Sequence, residues 1–142
     1  MIIGFTRGVF DLFHIGHLSF LKKAKKHCDK LIVGVHTDEF IKSNGNSSII
    51  NYLERSEIIR SLDLVDAVIP ISFSDDINLC KKLKVNIFFV GDNWLKKNNN
   101  LKQKIAISDF TNFSIEFYHI PYSKGSSSKL LNQTLKLLKK NN

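Results

Sequence analysis

The chain has 142 residues, of which 43% are hydrophobic, and a formal net charge of +8. That length and apolar fraction suit one domain, residues 1–142, with a true core. Two cysteines, Cys28 and Cys80, outside any CxxC pair argue against a disulfide scaffold and for a reduced, cytoplasmic protein, and no apolar run approaches the ~18–20 residues that span a bilayer. The N-terminus lacks the basic region, apolar stretch and cleavage site of a signal peptide.

The elements follow in chain order. Residues 1–7 read as a short strand that stops at Gly8. GHLSFLKKAKKHC, residues 16–28, places Leu18, Phe20, Leu21 and Ala24 between lysines and reads as a helix with one buried face. LIVGVH (31–36) is a continuous apolar run, as in a strand buried on both faces. A helix is expected at 52–63, a strand at 67–71, a helix at 75–83, a strand at 85–91, helix plus loop at 94–109, a strand at 114–121 and an amphipathic helix at 126–140 behind a serine cap. The stretch between the second strand and residue 52 reads as loop, with an asparagine-rich patch, SNGNSS, at 43–48.

Strict alternation of strand and helix predicts an α/β fold, an open parallel sheet of about five strands with helices on both faces. In such folds ligands bind beyond the carboxyl ends of the strands, at the switch point. Three turns should converge there: 8–17, 91–95 and 121–128.

The first turn, GVFDLFHIGH, holds Gly8, Asp11, His14, Gly16 and His17. A helix starting near Ile15 puts His14 at its cap and His17 in its first turn. Free N–H groups and the positive dipole end favour a phosphate there, and two imidazole donors could stabilise charge developing on it. Two other readings stay open on spacing alone: a metal site, weakened by the lack of clustered cysteines, and histidines that merely cap or pack. The last turn, YSKGSSSK, offers Lys124, Gly125, Ser126, Ser127 and Ser128 as an anion cradle or a plain serine cap. The middle turn, GDNW, offers Gly91, Asp92, Asn93 and Trp94 to a base or sugar, with Trp94 equally suited to the core. The lysines at 22–30, 81–84, 96–104 and 135–140 fall mostly on expected helices, so the net charge reads as a general attractive field for phosphorylated partners.

GVFDLFHIGH resembles the HxGH signature of the small nucleotidyltransferases. With LIVGVHTDEF, YLERSEII, LVDAVIP, FFVGDNW and IPYSKGSSSKLL in order, the chain is similar to the cytidylyltransferases of the glycerol-3-phosphate cytidylyltransferase type. The resemblance implies a Rossmann-like nucleotidyltransferase fold, a homodimer, and magnesium carried mainly on the triphosphate, with no side-chain metal ligands. It implies transfer of CMP from CTP to a phosphorylated alcohol, giving a CDP-alcohol for surface polysaccharide or lipid. It makes His14, His17, Lys42 and Ser127 catalytic. It places Arg7, Gly8, Val9, Phe10, Gly16, Arg55, Gly91, Asp92, Asn93, Trp94, Lys124, Gly125, Ser126 and Ser128 with Ser127 and the two histidines at the nucleotide. It assigns Asp11, Lys42 and Asp66 to the acceptor, Asp66 falling also on a segment associated with the dimer interface. Asn44 and Asn46 stand where the family carries lysines, with Lys42 the nearest replacement, and Tyr122 stands for an arginine. The alternatives are an adenylyltransferase of the same fold, a catalytically impaired nucleotide-binding relative, and a nucleic-acid-binding module, which lacks the aromatic and basic interleaving of a single-strand platform.

Overall fold

The computed structural model describes residues 1–92, 94, 107–121 and 127–140, of which 127–131 and 140 are described by their backbone alone. The strands are β1 (Ile3–Gly8), β2 (Lys30–His36), β3 (Ala67–Ile71), β4 (Ile87–Val90) and β5 (Glu116–His119). They form one sheet in the order β3-β2-β1-β4-β5, with every pairing parallel. The helices are α1 (Ile15–Lys25), α2 (Asp38–Ser43), α3 (Tyr52–Arg60), α4 (Asp76–Lys82) and α5 (Ser127–Lys140), with further helical residues at 107–112. The expected fold is the observed one.

Side-chain alternation along the strands divides the core into two layers. Phe5, Ile32, Phe88 and Val90 face Cys80 of α4 and Phe110. Leu31, Val33, Val35, Ile87 and Phe89 face Leu21 and Ala24 of α1 and Ile59 of α3. Strands buried on both faces are what continuous apolar runs such as LIVGV require. Phe88 is the hub of the first layer, with its ring 5.6 Å from Phe5, 5.0 Å from Phe110 and 5.9 Å from Phe117.

Two elements differ from expectation. Residues 38–43 form the helix α2 rather than loop, because Thr37 caps it by accepting from Phe40 N and Asp38 and Glu39 fill its first turn. Helix α3 ends at Arg60, and Leu62 N–H reaches back to the Ile59 carbonyl in a tight terminal turn.

The chain moves outward from β1 through β2 to β3, then crosses to β4 on the other side of β1. That reversal is the switch point. The β1–β2 register runs through Gly8↔Val35, whereas the β1–β4 register ends at Phe5↔Phe88. Beyond it the buried Thr6 hydroxyl donates to the Phe89 carbonyl at 2.9 Å, bridging strands whose ladder has stopped. A cleft opens there.

Replacing Phe88 by alanine removes the hub of the α4-side layer. The expected cost is about 3–5 kcal/mol of unfolding free energy, measured by denaturant titration.

Candidate active site

The cleft is a cavity of about 390 Å³ at the carboxyl ends of β1 and β4, a volume suited to a small-molecule ligand. Arg7, Gly8, Val9, Phe10, Asp11, Gly16, His17, Gly91 and Trp94 line it, together with Thr6, Phe20, His36, Phe88, Phe89 and Val90. Two of the three expected turns therefore meet at one place.

His14 is the N-cap of α1, with its backbone extended at φ −142° and ψ −179°. Its Nδ1 accepts from Gly16 N–H at 3.0 Å, while its own N–H donates to His17 Nδ1 at 3.3 Å. The two histidines thus form a reciprocal capping box, a job usually given to serine and glutamate. Because both Nδ1 atoms accept, each neutral ring carries its proton on Nε2. The rings stack, centroids 3.9 Å apart and 23° from parallel. Phe13 stacks on His17 at 5.4 Å, and Phe10 meets it edge-on at 5.6 Å.

Gly16 is glycine because of His14: a Cβ at Gly16 would lie 2.8 Å from His14 Cε1 and 3.0 Å from its Nδ1. Phe10 and Leu12 hold left-handed backbone at φ 53° and 49°, a costly conformation for non-glycine residues. Two such residues in one turn are affordable only if the turn is tied down. Asp11 accepts from Ile49 and Ile50 N–H at 2.8 and 3.0 Å. Arg55, 1% exposed, donates to the Val9 carbonyl at 2.7 Å, the Ile50 carbonyl at 2.8 Å and Asp38 at 2.8 Å.

Burial lowers both imidazole pKa values, and for His17 the neighbouring His14 adds to burial, Asp11 opposes it, and the result is about 4. Both rings are therefore neutral Nε2–H donors at pH 7.

Several expected site residues are placed elsewhere. Arg55 lies under the first turn, and its guanidinium is occupied by two carbonyls and Asp38 in place of a phosphate. Asp66 lies at the amino ends of β2 and β3, the edge opposite the cavity. There it pairs with Lys25 at 2.7 Å and accepts from Leu31 N–H, which corrects its assignment to the acceptor. Lys42 is exposed on α2 and does not line the cavity. Asp92 meets His119 at 2.7 Å, joining the ends of β4 and β5. Trp94 both lines the cavity and packs on Phe117 at 4.7 Å. Asn93, Lys124, Gly125 and Ser126 lie outside the described residues, as do the side chains of Ser127 and Ser128, of which Ser127 opens α5.

His36 was not anticipated as a cavity residue. The available signal is a polar residue at the carboxyl end of a buried parallel strand, where ligands gather. Among the described residues no group of three or more His, Cys, Asp or Glu could hold a metal ion.

The profile of the cytidylyltransferase-like family matches residues 5–133, and the chain belongs to that family. It is a nucleotidyltransferase. A glycerol-3-phosphate cytidylyltransferase from Bacillus spizizenii is 40% identical over 99 residues, 69% of this chain and 77% of the relative. An FAD synthase from Pyrococcus abyssi is 34% identical over 132 residues, 87% of this chain and 86% of the relative. The crystal structure of a lipopolysaccharide core biosynthesis protein from Thermoplasma volcanium superposes with a TM-score of 0.70 at 28% identity, covering 89% of this chain and 99% of that one.

The imidazole chemistry is open to direct measurement. Nitrogen-edited NMR at pH 7 is expected to show both rings as neutral Nε2–H tautomers, with His17 titrating near pH 4; titration near 6.5 would contradict the buried, stacked geometry. With the folded pKa below the unfolded 6.5, the unfolded chain binds more protons between them, so His17 should make stability fall as pH drops from about 6.5 to about 4.

Proposed function

We propose that the protein transfers CMP from CTP to a phosphorylated alcohol, releasing pyrophosphate. The observation that carries this reading is the pair of neutral Nε2–H imidazoles at the start of α1, with His17 lining a cavity at the sheet's switch point and His14 stacked on it. An oxygen of the acceptor phosphate attacks the α-phosphorus of the nucleotide. A new P–O bond forms as the bond to the bridging oxygen breaks, and pyrophosphate departs with the electron pair. No covalent enzyme intermediate is needed. His14 and His17 donate hydrogen bonds to oxygens whose charge grows in the transition state, and the α1 N-terminus adds its dipole. The strained, clamped turn holds these donors in advance, so the contribution is positioning and electrostatics.

Glycerol 3-phosphate or a similar polyol or amino-alcohol phosphate is the acceptor class, supported by the Bacillus relative. A surface polysaccharide or lipid role is supported by the similarity to the lipopolysaccharide core biosynthesis protein from Thermoplasma. The FAD synthase relative supports a second reading, in which the transferred base is adenine. Magnesium would arrive on the triphosphate. The carboxylate that lines the cavity, Asp11, does not fit a protein-held cation, since both its oxygens accept backbone N–H groups. We place the enzyme in the cytoplasm as a homodimer. No helix among the described residues is long and apolar enough to cross a membrane.

The test is pyrophosphate release with magnesium, each nucleoside triphosphate in turn, and a panel of phosphorylated alcohols. Release that requires CTP and one acceptor is expected; release with ATP alone moves the assignment to the adenine reading. His14→Ala and His17→Ala should each lower kcat by ~10²-fold or more, the scale for losing a transition-state donor. Near-normal turnover in both would remove the mechanistic role. Asn46→Lys restores a cation on an exposed loop position and is expected to raise turnover in the same assay.

A further inference from the structure

We propose that Arg7, braced by Asp76 and His36, selects the acceptor by reading an uncharged, hydroxyl-bearing tail and rejecting a cationic one. This inference rests on the transferase reading above. Arg7 stands on β1, the middle strand, in phase with Ile3 and Phe5, and so faces the α4 layer. Its Nη2 donates to Asp76 Oδ2 at 2.9 Å, and Nε lies against the other carboxylate oxygen as an ion pair without hydrogen-bond geometry, which leaves the buried Nε–H without a hydrogen-bond partner. Its Nη1 donates to His36 Nε2 at 2.9 Å. Arginine is always a donor, so that imidazole nitrogen accepts. Gly34, opposite Arg7 in the β1–β2 register, clears the space: a Cβ there would lie 3.2 Å from Arg7 Cβ and 2.7 Å from the Ile71 side chain.

Stability alone does not account for this cluster. The side chains of Arg7 and Asp76 are only 17% and 19% exposed. A mostly buried ion pair on a central strand gains little over apolar residues of the same size, and Phe5, Phe88 and Val90 lie in that layer. Both Arg7 and His36 line the cavity, whose wall nearby is the apolar Phe88, Val90 and Trp94. His17 belongs to α1, on the opposite face of the sheet. The cavity thus has two polar ends, one on each face.

A phosphorylated alcohol also has two ends. Its phosphate must meet the α-phosphate beside His17, which directs the tail toward Arg7. Of the five guanidinium N–H groups, one is donated to Asp76 and one to His36, and Nε–H is buried against Asp76, which leaves one on each of Nη1 and Nη2. Asp76 neutralises the net charge, so the subsite offers hydrogen bonds without a strong field. Hydroxyls satisfy those donors. An ammonium would face a guanidinium and leave its donors unmet, a large penalty in a partly buried site.

The experiment measures kcat/KM for glycerol 3-phosphate and for phosphocholine, with CTP and magnesium, by pyrophosphate release. The native enzyme is expected to favour glycerol 3-phosphate by about tenfold or more. Arg7→Met/Asp76→Leu removes both charges together, and Arg7→Lys keeps the charge without the guanidinium's paired Nη donors; thermal unfolding confirms that each is folded. In both, the preference should fall about fivefold or more through the acceptor KM, with CTP affinity by calorimetry within about twofold. His36→Asn should shift the same ratio in the same direction. An unchanged ratio in folded variants overturns the proposal, as does a parallel loss of CTP affinity, which would make Arg7 a nucleotide contact. Absent pyrophosphate release from the native enzyme with every acceptor sinks the transferase reading and this one with it.

Discussion

The structure of the site depends on one buried guanidinium. Arg55 joins the carbonyl of Val9, the carbonyl of Ile50 and the carboxylate of Asp38, three segments that otherwise share no backbone ladder. Removing an arginine from water costs several kcal/mol, recovered only when its donors are met with good geometry. Here a carboxylate and two carbonyls meet it. Removing Asp38 would leave the buried guanidinium without its counter-charge, so the three segments are constrained to one arrangement. Asp38 sharpens this further. It also accepts from Tyr52 N–H, which fixes the start of α3 relative to α2, and that bond with the Arg55 contact holds its carboxyl below the usual carboxylate range. Its stabilising contribution is present above the ordinary carboxylate pKa and is lost as pH falls through the depressed folded value.

That constraint explains how the first turn tolerates Phe10 and Leu12 in left-handed backbone. Strain of order 1–3 kcal/mol per residue persists where the surroundings over-determine the chain. Below the turn is Arg55, and beside it Asp11 holds two amides of the 49–50 segment. The turn in return delivers an aromatic enclosure of Phe10, Phe13 and His14 around His17. The enclosure strips water from the ring and keeps it neutral, which is the protonation state of a hydrogen-bond donor to phosphate rather than of an ion pair.

What was legible in the sequence was local. The strand and helix order follows from apolar runs and their periods, and the HxGH turn places both histidines within four residues, where helix geometry alone brings them together. What was illegible depends on register. Arg55 on YLERSEII is assigned to the nucleotide by resemblance, and its role as a buried brace depends on the approach of Val9, 46 residues away. Arg7 finds Asp76 across 69 positions and His36 across 29, a meeting set by strand pairing. Asp66 sits beside Ala67 in a segment that looked functional, but the direction of β3 points it to the wrong edge of the sheet. Helix α2 was missed although Thr37 followed by two acids announces it, because six residues carry too little periodicity to outweigh the asparagines that follow.

The reciprocal cap between His14 and His17 has a consequence for dynamics. In most helices the residues that satisfy the first turn and the residues that meet a ligand are different, so an end can fray while the chemistry stays in place. Here the same two rings do both. Opening the first turn of α1 disperses the donors, and assembling the donors closes the turn. The site therefore has no folded but misaligned state of its own: its readiness is the helicity of a few residues, and a bound anion would slow amide exchange there before anywhere else in the chain.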